Sequence, residues 1–321
     1  PAAYGQGIIS VGAMNKNGIR NYLSSYGSHI DVVAPGTGIL SLNTQTGSFD
    51  GDPDYMVRSG TSFATPFVSG TASLLIGYAQ DNLGITLYND DVENIIKLSA
   101  FKARSDEYNY DSDGWIVSMG HGLIKARAAL DLINESDLKQ WTTSGGTSVG
   151  NTGTYTMVFF STPGLSTGAY IVKRYDVQKT VTFPQTFTST PHVWGRGVAS
   201  NGYSGASPNF GMGWCDVVSG SVTQTGATLK TYVYKVYSIS GQYLGYYPTS
   251  PGNVTFAYTA LGDVSPPLSV SVTGPSSLGF LESGSFTAYP FGGNPNYSVT
   301  YQWYKKEDGA SSWFFRGSSN P

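Results

Sequence analysis

The stretch from Ser62 to Gln80 constrains this chain more than any other, because it reads as a helix with almost no polar side. Val68, Ala72, Leu75 and Ala79 recur at helical spacing, and Phe67, Thr71, Leu74 and Tyr78 fill the adjacent face. A helix apolar nearly all round has to be enclosed by other elements, so a core helix is expected. Its neighbours supply candidates. Ile8–Val11 and Ile30–Ala34 are short apolar runs bounded by Gly, Pro and polar residues. Such runs suit strands buried on both faces of a parallel sheet. Asn89 is placed to cap a second helix carrying Val92, Ile95, Ile96 and Leu98, and Leu123 to Ile133 reads as a third after the Gly120-His121-Gly122 turn. Residues 1–137 are therefore expected to be α/β.

Helical periodicity stops near Trp141. Residues 138–169 contain Gly145-Gly146-Thr147-Ser148 and Gly150-Asn151-Thr152-Gly153, a linker-like stretch with room for a first strand. Strand-like runs follow at Thr154–Phe160, Tyr170–Arg174, Val181–Phe183, Val193-Trp194, Phe210–Trp214, Leu229–Tyr237 and Val254–Tyr258. Turn residues between them predict an all-β sandwich over 170–264. Asp263-Val264-Ser265-Pro266-Pro267 marks a second break before 265–321. That last segment alternates like strands but has about 55 residues, fewer than the roughly 100 of a complete sandwich. The fold class expected is thus α/β followed by all-β sandwich domains.

Composition narrows the function. Charged residues make up 12% of the 321, and the net charge is −3, so there is no basic footprint for nucleic acid. No run approaches the roughly 18 apolar residues of a membrane span. The single cysteine, Cys215, rules out an internal disulfide and reads as a small buried hydrophobe. The chain starts at Pro1 without Met and stops at Pro321 in mid-pattern, which reads as truncation at both ends.

Chemistry concentrates at Ser59-Gly60-Thr61-Ser62-Phe63-Ala64-Thr65-Pro66. A Gly-Thr-Ser turn opening a helix puts Ser62 among unpaired backbone N–H groups at the positive end of the helix dipole. An oxyanion formed during acyl transfer is stabilised in such a place. Gly60 permits close backbone approach, and Pro66 is expected in the first turn, where a missing N–H costs little. Taken alone, the same residues also make an ordinary helix cap.

The order of motifs separates these readings. Val11-Gly12-Ala13, Ser24-Ser25-Tyr26-Gly27 and Asp31-Val32-Val33-Ala34-Pro35-Gly36 precede the turn. Val68-Ser69-Gly70, Gly120-His121-Gly122-Leu123-Ile124 and Ala126 follow it. In this order the motifs resemble the C-terminal half of a subtilisin-like serine protease domain (subtilase, peptidase S8 type). The resemblance implies a Ser-His-Asp triad with Ser62 as nucleophile, Thr61 and the Ser62 N–H as oxyanion support, and Gly60, Ala64 and Pro66 supporting the turn. The family's Asp, His and oxyanion Asn lie upstream of its Val-Gly-Ala strand, so all three are expected outside this chain. The 321 residues alone are then expected to be inactive, with apolar faces of the 62–80 helix uncovered. Phe63 stands where Met is common, and Phe67 where His is common.

The resemblance further implies a secreted or cell-surface bacterial endopeptidase acting on proteins or peptides. A protease-like domain that has lost its triad, and an adhesin with a secondary protease part, are the rival readings. Subtilases often bind calcium, and Asp106, Asp111 and Asp113 before Gly114, like Asp50, Asp52 and Asp54, are carboxylate-rich. A turn built on Asp-Gly chemistry is the preferred reading of both, so no metal site is assigned. His29, His121 and His192 are isolated and lack metal-ligand spacing. Val181–Pro184, Phe187–Val193, Val222-Thr223, Gly226–Leu229 and Val254–Gly262 resemble the H-type lectin domain, which implies a glycan partner through 170–264; a spacer is the alternative. Tyr203, Trp194 and Tyr243 are the aromatics that could stack on a sugar. Ser271–Pro275 and Tyr301–Tyr304 resemble the first half of an immunoglobulin-like domain, with Trp303 as its core tryptophan and spacing as its role.

Overall fold

The computed structural model describes residues 8–43, 54–159, 168–198, 215–247, 250–264, 269–273, 287–291, 301–305 and 314–319. The N-terminal part is built on a parallel pair, β1 (Val11–Met14) and β2 (Val32–Pro35), in the register Val11↔Val32 to Met14↔Pro35. Ala13, Val32, Val33 and Ala34 are fully enclosed, as expected of strands covered on both faces. The outer edge of β2 is closed by the 122–124 segment. Val33 N–H donates to the Gly122 carbonyl, and Ile124 N–H donates to the Val33 carbonyl. A small hairpin, β3 (Ile39–Leu42) with β4 (Tyr55–Arg58), leads into α1 (Thr61–Tyr78).

The buried side of α1 is Ala64, Val68, Thr71 and Leu75, the i, i+4, i+7, i+11 stripe that rests on β1 and β2. The opposite side is open, with Phe67, Leu74 and Ile76 exposed to 44%, 57% and 44%. The core helix expected from its all-round apolarity is therefore enclosed on one face, since β1, β2 and the other helices all lie on that side. A π-helical turn over Ala79–Leu83 ends it at Gly84.

α2 (Asn89–Leu98) starts one residue earlier than a cap at Asn89 would require. Tyr88 is the N-cap, and its N–H donates to Asp91 Oδ2 at 3.0 Å. Lys97 Nζ sits 2.8 Å from Asp31 Oδ1 and ties this helix to the base of β2. α3 (Ala126–Glu135) begins three residues after Leu123, because the backbone of Leu123 and Ile124 is taken up by Phe101 and Val33.

One residue, Ser136, separates α3 from β5 (Asp137–Ser144). The expected linker over 138–169 is instead mostly strand, since β6 (Thr147–Phe159) follows at once. β5 pairs with β12 (Thr255–Gly262), which pairs with β8 (His192–Arg196). β6 pairs with β7 (Gly168–Thr182), which absorbs the two separate runs expected there, and β7 pairs with β10 (Gly226–Tyr237). β9 (Asp216–Val217) and β11 (Tyr243–Tyr247) join β10. All these pairings are antiparallel. Val177, Leu229 and Val233 from one sheet share a core with Phe256, Tyr258 and Ala260 from the other. Phe183 stacks on Trp141 and meets Phe187 edge-on in the same core. Beyond it, β13 (Ser269–Thr273) pairs with β14 (Thr287–Phe291), and β15 (Tyr301–Lys305) with β16 (Phe314–Ser319). Trp303 falls in β15, and its side chain, like Phe210–Trp214 and Tyr203, lies outside the described residues.

Candidate active site

The turn carrying Ser62 is positioned by backbone. Gly60 is the N-cap of α1, with φ 150° and ψ 165°, a conformation that L side chains rarely adopt. Its N–H donates to the carbonyl of Gly36, immediately after β2, at 2.8 Å. Ser59 Oγ accepts the Gly38 N–H at 3.0 Å. Thr61 and Ser62 are thus the first two helical residues, fixed over the C-terminal end of β2. No side chain caps this terminus; the Phe63 N–H donates to the Gly60 carbonyl at 3.1 Å, which leaves the amides of Thr61 and Ser62 outside the helical ladder. Ser62 is exposed, and among the described residues its hydroxyl makes no hydrogen bond. Ala64, fully buried, anchors the turn against β1 and β2.

Pro66 is the sixth residue of α1, in its second turn and not its first. The missing N–H is the one that would bond the carbonyl of Ser62, four residues back. The helical ladder is therefore interrupted at the Ser62 carbonyl. Beside it, Thr65 Oγ1 donates to the Thr61 carbonyl at 2.9 Å, which leaves the Ser62 carbonyl unaffected.

None of the histidines reaches this turn. His121 N–H donates to the Asp31 carbonyl at 2.7 Å, at the opposite end of β2. The four residues of β2 separate Asp31 from Gly36, five steps and about 16 Å at the usual rise. Burial, with Lys97 and Lys102 nearby, lowers the His121 pKa to about 4. His29 is exposed in the loop before β2, and His192 is exposed at the start of β8.

The acidic loops behave as turns where they are described. Asp111 Oδ1 accepts the N–H groups of Asp113 at 3.0 Å and Trp115 at 2.8 Å. Asp50 and Asp52 lie outside the described residues. Cys215 is fully buried, and burial pushes its thiol up to about 12. Trp194, expected as an exposed sugar platform, is 8% exposed and donates its indole N–H to Asp91 Oδ1 at 2.8 Å. Tyr243 is half exposed.

Residues 1–127 match the model of the Subtilase family, Peptidase_S8. An extracellular basic protease of Dichelobacter nodosus is 33% identical over 128 residues, covering 39% of this chain and 19% of that protein. A thermophilic serine proteinase of Bacillus sp. (strain AK1) is 41% identical over 85 residues, covering 26% of this chain and 19% of that protein. Among solved structures, the crystal structure of a lanthipeptide protease aligns with 25% identity and a TM-score of 0.34, over 39% of this chain and 41% of that one. The family match and the relatives make residues 1–127 a subtilase serine protease portion. The chain spans about a fifth of the length of these two curated relatives.

Proposed function

We propose that Ser62 is the nucleophile of a secreted or cell-surface bacterial serine endopeptidase acting on proteins or peptides. The observation that carries this reading is the place of Ser62 as an exposed second residue of α1, on a turn hydrogen-bonded to the end of β2 through Gly60 and Gly36. Ser62 Oγ attacks the scissile carbonyl carbon, and its proton passes to a base. The charge left on the carbonyl oxygen is met by the Ser62 N–H and the Thr61 hydroxyl. As the C–N bond breaks, the proton passes to the leaving amine. Water then hydrolyses the acyl ester.

The distance from His121 to the turn, and the placement of His29 and His192, support a base supplied from outside these 321 residues. The same holds for the carboxylate that orients it and the oxyanion Asn. Calcium has no assigned ligands in this reading. Residues 170–264 add adhesion or spacing, with a glycan as the adhesion partner. The test is a fluorophosphonate probe on the intact protein. Label should fall on Ser62, and Ser62→Ala should remove it and lower kcat by about 10⁶. Label that persists in Ser62→Ala removes the assignment.

A further inference from the structure

The two halves of the chain meet on α2, and the meeting is keyed by a carboxylate. Asp91 is 0% exposed. Its Oδ1 accepts the Trp194 indole N–H at 2.8 Å and the Thr259 hydroxyl at 2.6 Å. Its Oδ2 accepts the Gln140 amide at 2.7 Å and the Tyr88 N–H at 3.0 Å. Gln140, Thr259 and Trp194 come from β5, β12 and β8, one from each strand of the three-stranded sheet. Next to it, Asp90 accepts the Gly197 N–H at 3.0 Å, just past β8. The Arg196 guanidinium lies 4.3 Å over the ring of Tyr88, the α2 cap.

Apolar packing runs through the same junction. Leu138, Trp194 and Leu261 from the sheet belong to one core with Leu75 and Ala79, Val92, Ile95 and Ile96, and Ala129 and Ile133. A buried carboxylate is tolerated when donors replace its water, and three of the four donors to Asp91 belong to the sheet. Those three donors in turn have Asp91 as their shared acceptor. Each side therefore leaves polar groups unmatched without the other. Interfaces between independently moving domains are usually polar and loosely held. A tethered adhesion or spacer module has no need of a fully enclosed carboxylate whose ligands come from three strands.

We propose that the β5-β12-β8 sheet is an obligate folding partner of the subtilase portion, keyed by Asp91, so that the two open and close as one cooperative unit. The sheet then holds α2, and α2 shares its core with α1, the helix that begins at Thr61-Ser62. This goes beyond the reading of Ser62 as nucleophile and does not depend on it.

Hydrogen exchange on the intact protein tests the proposal without reading turnover. In the parent chain, the slowest amides of α1, α2 and β12 should exchange with a common protection factor, the mark of a shared opening. Thr259→Val removes one donor and keeps the shape of the side chain. It should reduce protection in α1, α2 and β12 together, by about tenfold or more. Asp91→Ala should do so more strongly, and if that variant does not fold, Gln140→Ala replaces it. A loss confined to β12 and β5, with α1 unchanged, would show that the sheet is a separate unit and overturn the proposal. Distinct protection levels for α1 and β12 in the parent chain would overturn it as well.

Discussion

The carbonyl oxygen of Gly36 accepts the N–H of Gly60 at 2.8 Å, and the two glycines are so close that a Cβ on Gly36 would stand 2.9 Å from the Gly60 oxygen. The same Cβ would lie 2.6 Å from Ala13 Cβ and 3.1 Å from Ala64 Cβ. Gly36→Ala is expected to destabilise the protein by about 1–3 kcal/mol through overpacking. It should also push the Ser62 turn outward. Adding Ala13→Gly relieves the methyl contact but leaves the clash with the Gly60 oxygen. Melting temperature should then recover while fluorophosphonate labelling of Ser62 stays low. Labelling that recovers in parallel with the melting temperature would assign Gly36 a packing role alone.

Trp194→Phe keeps an aromatic ring at the junction and deletes the indole N–H that meets Asp91. The expected loss is about 1–3 kcal/mol, the usual result of leaving a buried polar group short of a partner. Urea unfolding measures it. A change smaller than that of a surface substitution would mean that water or a side-chain shift satisfies Asp91.

Asp90 is held above its ordinary value of 3.8, foremost by burial. The groups facing it are Asp91 on its own helix, Arg196 at the end of β8 and the Cys215 thiol ahead of β9. Asp91 adds to the rise; Arg196 and the Gly197 N–H oppose it. The folded state binds this proton more tightly than the unfolded state does. Its stability cost is therefore absent below 3.8 and complete above the raised folded value. Asp90→Asn keeps an oxygen for Gly197 and removes the charge, so it should raise the melting temperature at neutral pH. The gain should shrink in acid. A constant or negative difference across the titration would show that Asp90 is compensated in the folded state.

His121 titrates with the opposite consequence. Its folded value of about 4 lies below the ordinary 6.5, so the unfolded chain takes up the proton first. Stability from the neutral ring is complete above 6.5 and is lost as the pH falls through that value toward about 4. The hydrogen bonds at this residue are made by its backbone, with Asp31 and Lys102, and survive a side-chain change. His121→Gln should therefore flatten the acid limb of the unfolding midpoint against pH. An unchanged limb would place the acid loss elsewhere.

Phe63, directly after Ser62, carries no thioether. If Ser62 is the nucleophile, as proposed, Phe63→Met should make the intact protein's activity more sensitive to peroxide, because methionine sulfoxide is polar and would form beside the Ser62 turn. Residual activity after matched peroxide exposure measures this. Equal loss in the two proteins would refute it.

The parallel β1–β2 pair, the helix after Gly-Thr-Ser and the place of Ser62 were all legible, because each depends on residues close in sequence. The helix start was legible to within a residue; Pro66, fifth from Ser62 and sixth from Thr61, lies in the second turn on either count and leaves the Ser62 carbonyl without its helical N–H. The exposed Phe67, Leu74 and Ile76 follow from which faces other elements cover, and periodicity does not report that. The end of β6 was legible from Thr154 onward, but β5 and the start of β6 were masked by the glycines at 145, 146, 150 and 153, two of which punctuate β6 without ending it. Asp90 and Asp91 drew no separate reading from the sequence. Apart from the Tyr88 N–H, the donors to their side chains lie 49 to 168 residues away, so no local pattern shows that they are enclosed.

The single residue Ser136 between α3 and β5 has a mechanical meaning. A flexible linker acts as slack: a load on the far module straightens it before anything else yields. Here there is none to take up. A pull on the downstream strands would reach α3 and the shared core directly, and the first bonds to feel it would be those at the Asp91 junction. The joint that carries the tension is therefore beside the subtilase portion, and anchoring the chain by its C-terminal end would place that joint in the line of force.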